Sequence, residues 1–313
     1  MIPNAIIAAD IEAQPAAMRV TEPGVYTMPA EDYHADPCPA PSLSSGIARI
    51  LVSQSPRHAW IAHPRLNPAH ESEERQAFDL GSAAHALLLE GADRMAVIDA
   101  PDYRTKAAQE ARDAARRAGQ HPVLRVQYLA VRTMAGIAQD AILGCVDLAG
   151  MTLADGDPER ALIWREGDAW CRARPDWISR DLRVQISYKT TATSANPTEF
   201  ARQIEKMGYD LQDAFYLRGA RANGAPNDAI TLTLVQENSP PYACAWIGMD
   251  PVYMAMANGK ASRAIELWQE CTKRDRWPGY PPRIHWITPP AYALAKWEER
   301  EADIAAANEE IER

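Results

Sequence analysis

The stretch CRARPDWISRDLRVQISYKTT, residues 171–191, decides the fold. Its last part alternates with a period of two, so Val184, Ile186 and Tyr188 fall on one face of a strand and Gln185, Ser187 and Lys189 on the other. Outward from it, ERALIWRE (159–166) and AWCRARPDWIS (169–179) alternate in the same way, with turn residues at Gly167-Asp168 and at 179–181. The spacing predicts three consecutive antiparallel strands. Beyond them Asn196-Pro197-Thr198-Glu199 supplies a cap, a first-turn proline and an N3 glutamate, which start a helix; GYDLQDAFYLRGARA (208–222) continues as another. Strands over AITLTLVQE (229–237) and YACAWIGM (242–249) follow, and then a helix from about 251 to 273. Toward the amino end, Ser44 or Ser45 caps a helix carrying Ile47, Ile50 and Leu51, and Ser55-Pro56 opens a second. A third helix over 76–90 lines up Gly81, His85 and Leu88 or Leu89, and 104–142 reads as a helical hairpin broken around 119–122. Helices and strands mixed in this order imply a single mixed α/β domain over 33–297, with a helical front. A loosely held lead-in rich in proline and acid covers 1–32, and an acidic helical tail covers 298–313.

With 313 residues, 47% apolar and 24% charged, the chain can bury a substantial core, which excludes disorder and fibre. No run approaches the roughly 20 apolar residues of a membrane span, and MIPNAIIAAD meets Asp10 without a basic start. The expectation is a cytoplasmic protein with no membrane partner. Five scattered cysteines (Cys38, Cys145, Cys171, Cys244, Cys271) contain no CxxC pair and imply neither a disulfide framework nor a zinc ribbon. The net charge of -9 argues at first against a polyanion, yet residues 1–50 carry -4 of it and 298–313 carry -5, leaving the middle neutral. Within that middle, Arg104, Lys106, Arg112, Arg116, Arg117 and Arg125 outnumber Glu110 and Asp113, and 172–189 carries five bases against two acids. The first cluster reads either as a basic groove or as a solvated helix face.

Asp176 lies eleven residues before Ser187, and the intervening turn brings it beside the end of the Lys189 strand. A carboxylate and an ammonium meeting there form either a salt bridge or a pair suited to phosphodiester cleavage. In the second case the carboxylate holds a divalent cation and the amine steadies the attacking water or the developing charge.

Six segments in order resemble one family. These are YHADPCPAPSLSSGIARILVSQSPRHAW (33–60), GSAAHALLLEG (81–91), CRARPDWIS (171–179), ISYKTT (186–191), GYDLQDAFYL (208–217) and RWPGYPP (276–282). They are similar to the opening Ser-x-Ser and Ser-Pro helices, the Gly-x-x-x-His helix, the Arg-Pro-Asp strand, the Asp-x-Lys-Thr strand, the Gln-x-x-x-Tyr helix and the late Trp and Tyr segment of PD-(D/E)xK nucleases. The specific likeness is to phage and prophage RecE-type, exodeoxyribonuclease VIII-like exonucleases. The resemblance implies a restriction-endonuclease-like core with a central mixed sheet flanked by helices. It implies Mg²⁺ or Mn²⁺ held by His85 and Asp176, a lysine at 189 assisting the nucleophile, and Gln212 and Tyr216, one helical turn apart, positioning the nucleic-acid backbone or bracing the site. Arg104, Lys106, Arg172 and Arg174 are candidates for phosphate contacts. The implied activity is metal-dependent exonucleolytic resection of duplex DNA ends in phage-type recombination, by a homo-oligomeric ring with a single-strand annealing protein as partner. Some relatives bind an iron-sulfur cluster through four cysteines, three of them near the carboxyl end; here only Cys271 lies beyond 244, so no cluster is expected.

One position departs from the pattern. Where the family carries an acid two residues before the lysine, this chain has Ser187, a far poorer ligand for a hard dication. Three explanations stand open: an inactivated enzyme, a weakened or purely DNA-binding relative, or another acid taking the place in space. Glu199, Glu205 and Glu159 are the candidates for the last.

Overall fold

The computed structural model describes residues 18–70, 80–148 and 150–312. In chain order its elements are β1 (Gly24–Tyr26), α1 (Ala30–His34), β2 (Ser42–Ser44), α2 (Ser45–Ser53), α3 (Pro56–Ala62), α4 (Leu80–Leu89), β3 (Met95–Ile98), α5 (Lys106–Arg117), β4 (His121–Leu124) and α6 (Arg125–Leu143). There follow β5 (Gly156–Pro158), β6 (Ala161–Glu166), β7 (Ala169–Ala173), β8 (Trp177–Ser179), β9 (Val184–Thr191), α7 (Pro197–Met207), α8 (Tyr209–Ala222), β10 (Ile230–Glu237), β11 (Cys244–Ile247), α9 (Pro251–Arg274) and α10 (Ala291–Glu312). The expected mixed α/β class is what forms.

The expected meander of three strands does not. Its middle run splits at Arg174-Pro175-Asp176, so β7 belongs to a four-stranded sheet (order β1-β6-β7-β2) and β8 to a five-stranded one (order β11-β10-β9-β8-β5). Pro175 is the physical reason: without an N–H and with φ fixed, it cannot continue a ladder, and the chain leaves one sheet for the other there. The hairpin expected over 104–142 also needs correction. Its break contains β4, which pairs in parallel with β3 from Met95↔His121 to Ile98↔Leu124, a four-residue strand hidden between two stronger helical periods. Of the helix expected over 76–90, residues 76–79 lie outside the described residues and the remainder forms α4.

Strand β9 is covered on both faces, which is why Val184–Tyr188 are all buried. Val184, Ile186 and Tyr188 pack with Ala84 of α4, Met134 and Ala138 of α6, and Trp177 of β8. Gln185, Ser187 and Lys189 take the opposite side, as the alternation predicts. Helix α8 touches β6, β7 and β10 and so spans the two sheets. Leu211 and Phe215 of α8 join Trp164, Leu43, Leu51 and Trp268 in the largest apolar cluster. Each such large side chain contributes about 1.5–3 kcal/mol by leaving water. Caps act where the sequence places them: Ser44 Oγ accepts from Ile47 N–H at 3.4 Å, and Asn196 Oδ1 from Thr198 N–H at 3.0 Å. Ser55 instead bonds its hydroxyl to His58 Nδ1 at 2.7 Å. One compact unit runs to Gly279 and carries β1 to α9, and a second begins at Tyr280 and contains α10.

Candidate metal centre

Pairing carries Asp176 to its neighbours. Strands β8 and β9 match Trp177 with Ile186 and Ile178 with Gln185, so Asp176 stands level with Ser187 just past the last matched pair. Its Oδ2 accepts the Tyr188 N–H at 2.7 Å and the Lys189 Nζ at 3.2 Å. The carboxylate expected beside Lys189 is therefore in contact with it. Burial alone would raise the Asp176 carboxyl, but the Lys189 ammonium, His85 and the Tyr188 N–H outweigh it and hold the acid well below the usual carboxylate range. Burial likewise pulls Lys189 down, and the Asp176 charge more than reverses this.

On the other edge of β8, β5 pairs antiparallel with it from Gly156↔Ser179 to Pro158↔Trp177. The next residue, Glu159, donates its N–H to the Asp176 carbonyl at 3.1 Å. Glu159 has φ of 55°, in the left-handed region that few non-glycine residues occupy. Arg174 fixes this turn by donating Nε to the Glu159 carbonyl at 3.1 Å and pairing with its Oε2 at 3.0 Å. From the opposite side α4 brings His85, whose Nε2 lies 3.6 Å from both Glu159 Oε1 and Asp176 Oδ1. Burial works against the imidazolium, yet Asp176 and Glu159 together raise the His85 pKa. Burial raises Glu159, with Arg174 opposing.

One ligand atom from each of His85, Glu159 and Asp176 lies within 4.8 Å of the others. An ion about 2.1 Å from each ligand holds neighbouring ligand atoms roughly 3 Å apart, so a small inward movement of these side chains closes the set around a dication. A nitrogen and two anionic oxygens suit Mn²⁺ or Mg²⁺. Of the three acids that could stand in for one at 187, Glu159 is the one the fold brings to the place; Glu199 and Glu205 sit exposed on α7.

These groups open into a cleft of about 1100 Å³. Tyr216 lines it, its hydroxyl bonded to the Ser45 side chain. Gln212 reaches the same region from behind, its Nε2 donating to Ser187 Oγ at 3.4 Å, and Ser187 itself is 2% exposed. Arg174 also lines the cleft. Arg172 borders it, but its guanidinium is buried and engaged: Nη1 donates to the Ser42 carbonyl and hydroxyl, both at 2.6 Å, and lies 3.3 Å from Asp36. Arg104 and Lys106 stand in solvent beside Asp102 and Glu110 and are not among the residues lining the cleft. The sequence reading singled out neither Arg94 nor His121, which line the cleft, nor Asp213, a buried acid of α8. For Asp213 a signal existed: with Asp210 and Leu217 it falls on one stripe of α8, the stripe turned into the protein.

Residues 52–288 match the family model described as a PDDEXK-like domain of unknown function, DUF3799. The chain belongs to this family. A solved structure described as a "Putative exonuclease" from Eubacterium rectale is similar in fold, with a TM-score of 0.52 at 11% identity, covering 86% of this chain and 98% of that one. No curated protein matches the chain.

Proposed function

We propose that this DUF3799 protein is a metal-dependent deoxyribonuclease that degrades linear duplex DNA from its ends. The observation that carries the reading is the convergence of His85, Glu159 and Asp176 on one point, with Lys189 in contact with Asp176. His85, Glu159 and Asp176 would hold Mg²⁺ or Mn²⁺, which when bound supplies Lewis-acid polarisation of the phosphate and a more acidic water. Asp176 divides its work: Oδ2 is fixed by Tyr188 N–H and Lys189, leaving Oδ1 turned toward His85 and Glu159. Arg174 and the β5–β8 pairing hold Glu159 in its turn. Lys189 presents a cation at the edge of the cleft, where it can orient a water or neutralise charge developing on phosphate. Tyr216 and Gln212 brace the wall. The RecE-type resemblance supports exonucleolytic polarity, a ring assembly and work beside an annealing protein in recombination.

The test is release of nucleotides from linear duplex in Mg²⁺ or Mn²⁺, together with Mn²⁺ binding measured by calorimetry. K189A is expected to abolish release while Mn²⁺ still binds, and E159Q to weaken Mn²⁺ about tenfold or more. Duplex binding without release by the wild-type chain would establish instead an end-binding protein on a nuclease fold, the reading that Ser187 favours.

A further inference from the structure

Three charged side chains line the cleft without belonging to the metal set: Glu90, Arg94 and His121. The backbone fixes their meeting. Strands β3 and β4 start in register at Met95↔His121, so Arg94, the residue before β3, stands next to the head of β4. Gln120 secures the join by donating Nε2 to the Asp93 carbonyl at 3.1 Å. A Cβ on Gly119, which has φ of 68°, would stand 3.8 Å from Arg94 Nη1, so the guanidinium lies against the turn that leads into β4. Glu90 ends α4, its N–H still bonded to the Ala86 carbonyl at 2.9 Å.

The Glu90 carboxylate spans the other two groups. Its Oε2 lies 3.3 Å from Arg94 Nε and its Oε1 3.7 Å from His121 Nε2. One oxygen for each basic group is also how the two free oxygens of a phosphodiester would engage the pair, since guanidinium favours phosphate and an imidazole presents Nε2–H in either charge state. Arg94 is 52% and His121 45% exposed. Ion pairs this open to water are worth about 0–1 kcal/mol, so a phosphate can take the place of the carboxylate at little cost. The position suits a strand. Glu90 follows His85 by five residues of helical chain, about 7.5 Å along the axis, which is comparable to one phosphodiester step of an extended strand.

We propose that Arg94 and His121 form a subsite for the backbone phosphate one step from the metal centre, and that Glu90 holds this subsite until nucleic acid displaces it. The proposal rests on the nuclease reading for its ligand, whereas the arrangement of the three side chains does not depend on that reading.

The test is the affinity for fluorescein-labelled linear duplex, read by anisotropy in EDTA from about 50 to about 200 mM KCl. R94A is expected to weaken binding about fivefold or more at low salt, and to make the plot of log affinity against log salt shallower by about 0.7–0.9, the share of one phosphate. R94K, which keeps the charge, should restore the slope, and H121Q should weaken binding in the same direction as R94A. E90Q keeps the shape and removes the competing charge, so it should tighten binding about threefold or more; in E90Q/R94A that gain should vanish. During degradation in Mg²⁺ the loss in R94A should fall on KM and not on kcat. If R94A does not fold, R94Q gives the same comparison. An R94A slope equal to wild type overturns the subsite, as does an E90Q gain that persists in E90Q/R94A, which is general repulsion. E90Q that binds no tighter and melts lower makes Glu90 a bracket between α4 and β4 and overturns its part in the proposal. Duplex bound with the expected slopes but not degraded in Mg²⁺ or Mn²⁺ overturns the nuclease reading and leaves the subsite standing; degradation with unchanged slopes does the reverse.

Discussion

Glu159 is the acid proposed to act in place of one at 187, and it sits at a backbone conformation that costs a non-glycine residue about 1 kcal/mol or more. The turn persists because Arg174 binds both its carbonyl and its carboxylate. Introducing an acid at 187 therefore has an expected outcome opposite to a simple repair. Ser187 is buried, level with Asp176 and bonded by Gln212, so S187D places another carboxylate in a slot that already adjoins Asp176 and lies on the same polar face as Asp213. S187D should lower stability by about 1–3 kcal/mol without tightening Mn²⁺, as urea denaturation and calorimetry would read. A folded S187D with stronger Mn²⁺ binding would mean that Glu159 is not the working ligand. Asp176 and Lys189 were legible in the sequence because two alternating runs and one turn fix their meeting. Glu159 could be placed among three candidates and no further: β5 is three residues long, Gly-Asp-Pro, and carries no period from which its register against β8 could be read.

At the scale of the element, the position of α4 decides whether His85 reaches the centre at all. A Cβ on Gly81 would overlap the Thr190 hydroxyl and come within 3.0 Å of the Thr190 Cβ, so the glycine is what lets the first turn of α4 lie against the end of β9. His85 follows one turn later on the same stripe. Two effects compete in G81A. Alanine favours a helix interior over glycine by about 1 kcal/mol, whereas forcing a methyl into a filled contact costs about 1–3 kcal/mol. Because Cβ as well as hydroxyl is in the way, rotating the Thr190 side chain does not relieve the overlap, and the packing cost should win. G81A is expected to melt lower and to bind Mn²⁺ more weakly, and G81A/T190A, which removes the hydroxyl and methyl but keeps the Cβ at 3.0 Å, to recover part of both; a G81A protein that melts higher would show that α4 does not sit this close. The Gly-x-x-x-His spacing in 81–85 carries this element in the sequence, since a small residue and a histidine on one helical stripe imply close approach. The switch of sheets at Pro175 was less legible. The alternating pattern runs on through Arg174 and Asp176 without interruption, and only the missing N–H of one residue marks where the ladder ends.

For the whole molecule, the wall of the cleft depends on a buried cluster that ties three distant parts of the chain together. Asp36 accepts the Ser42 N–H at 2.9 Å and hydroxyl at 2.6 Å, Arg172 of β7 binds Ser42 and Asp36, and His63, just past α3, points Nε2 at the Ser42 carbonyl 3.1 Å away. The other ring nitrogen of His63 accepts the Arg65 and Leu66 N–H groups at 3.1 and 3.2 Å, which fixes the neutral tautomer with its proton on Nε2. Burial and the Arg172 charge push His63 down to about 4, with Asp36 opposing. The folded chain therefore keeps this imidazole neutral until about pH 4, whereas an unfolded chain protonates it near 6.5. Between those values the unfolded state binds more protons, so the contribution is complete above pH 6.5 and declines as pH falls, by at most about 1.4 kcal/mol per pH unit. In H63N the acceptor for the two N–H groups is kept, but the Ser42 bond and the titration are lost. H63N should be less stable than wild type at pH 7.5 by about 1–2 kcal/mol, and its urea midpoint should fall less steeply between pH 6.5 and 4.5. The two curves would approach one another toward the acid end. Parallel curves across that window would show that the folded protein does not hold His63 neutral.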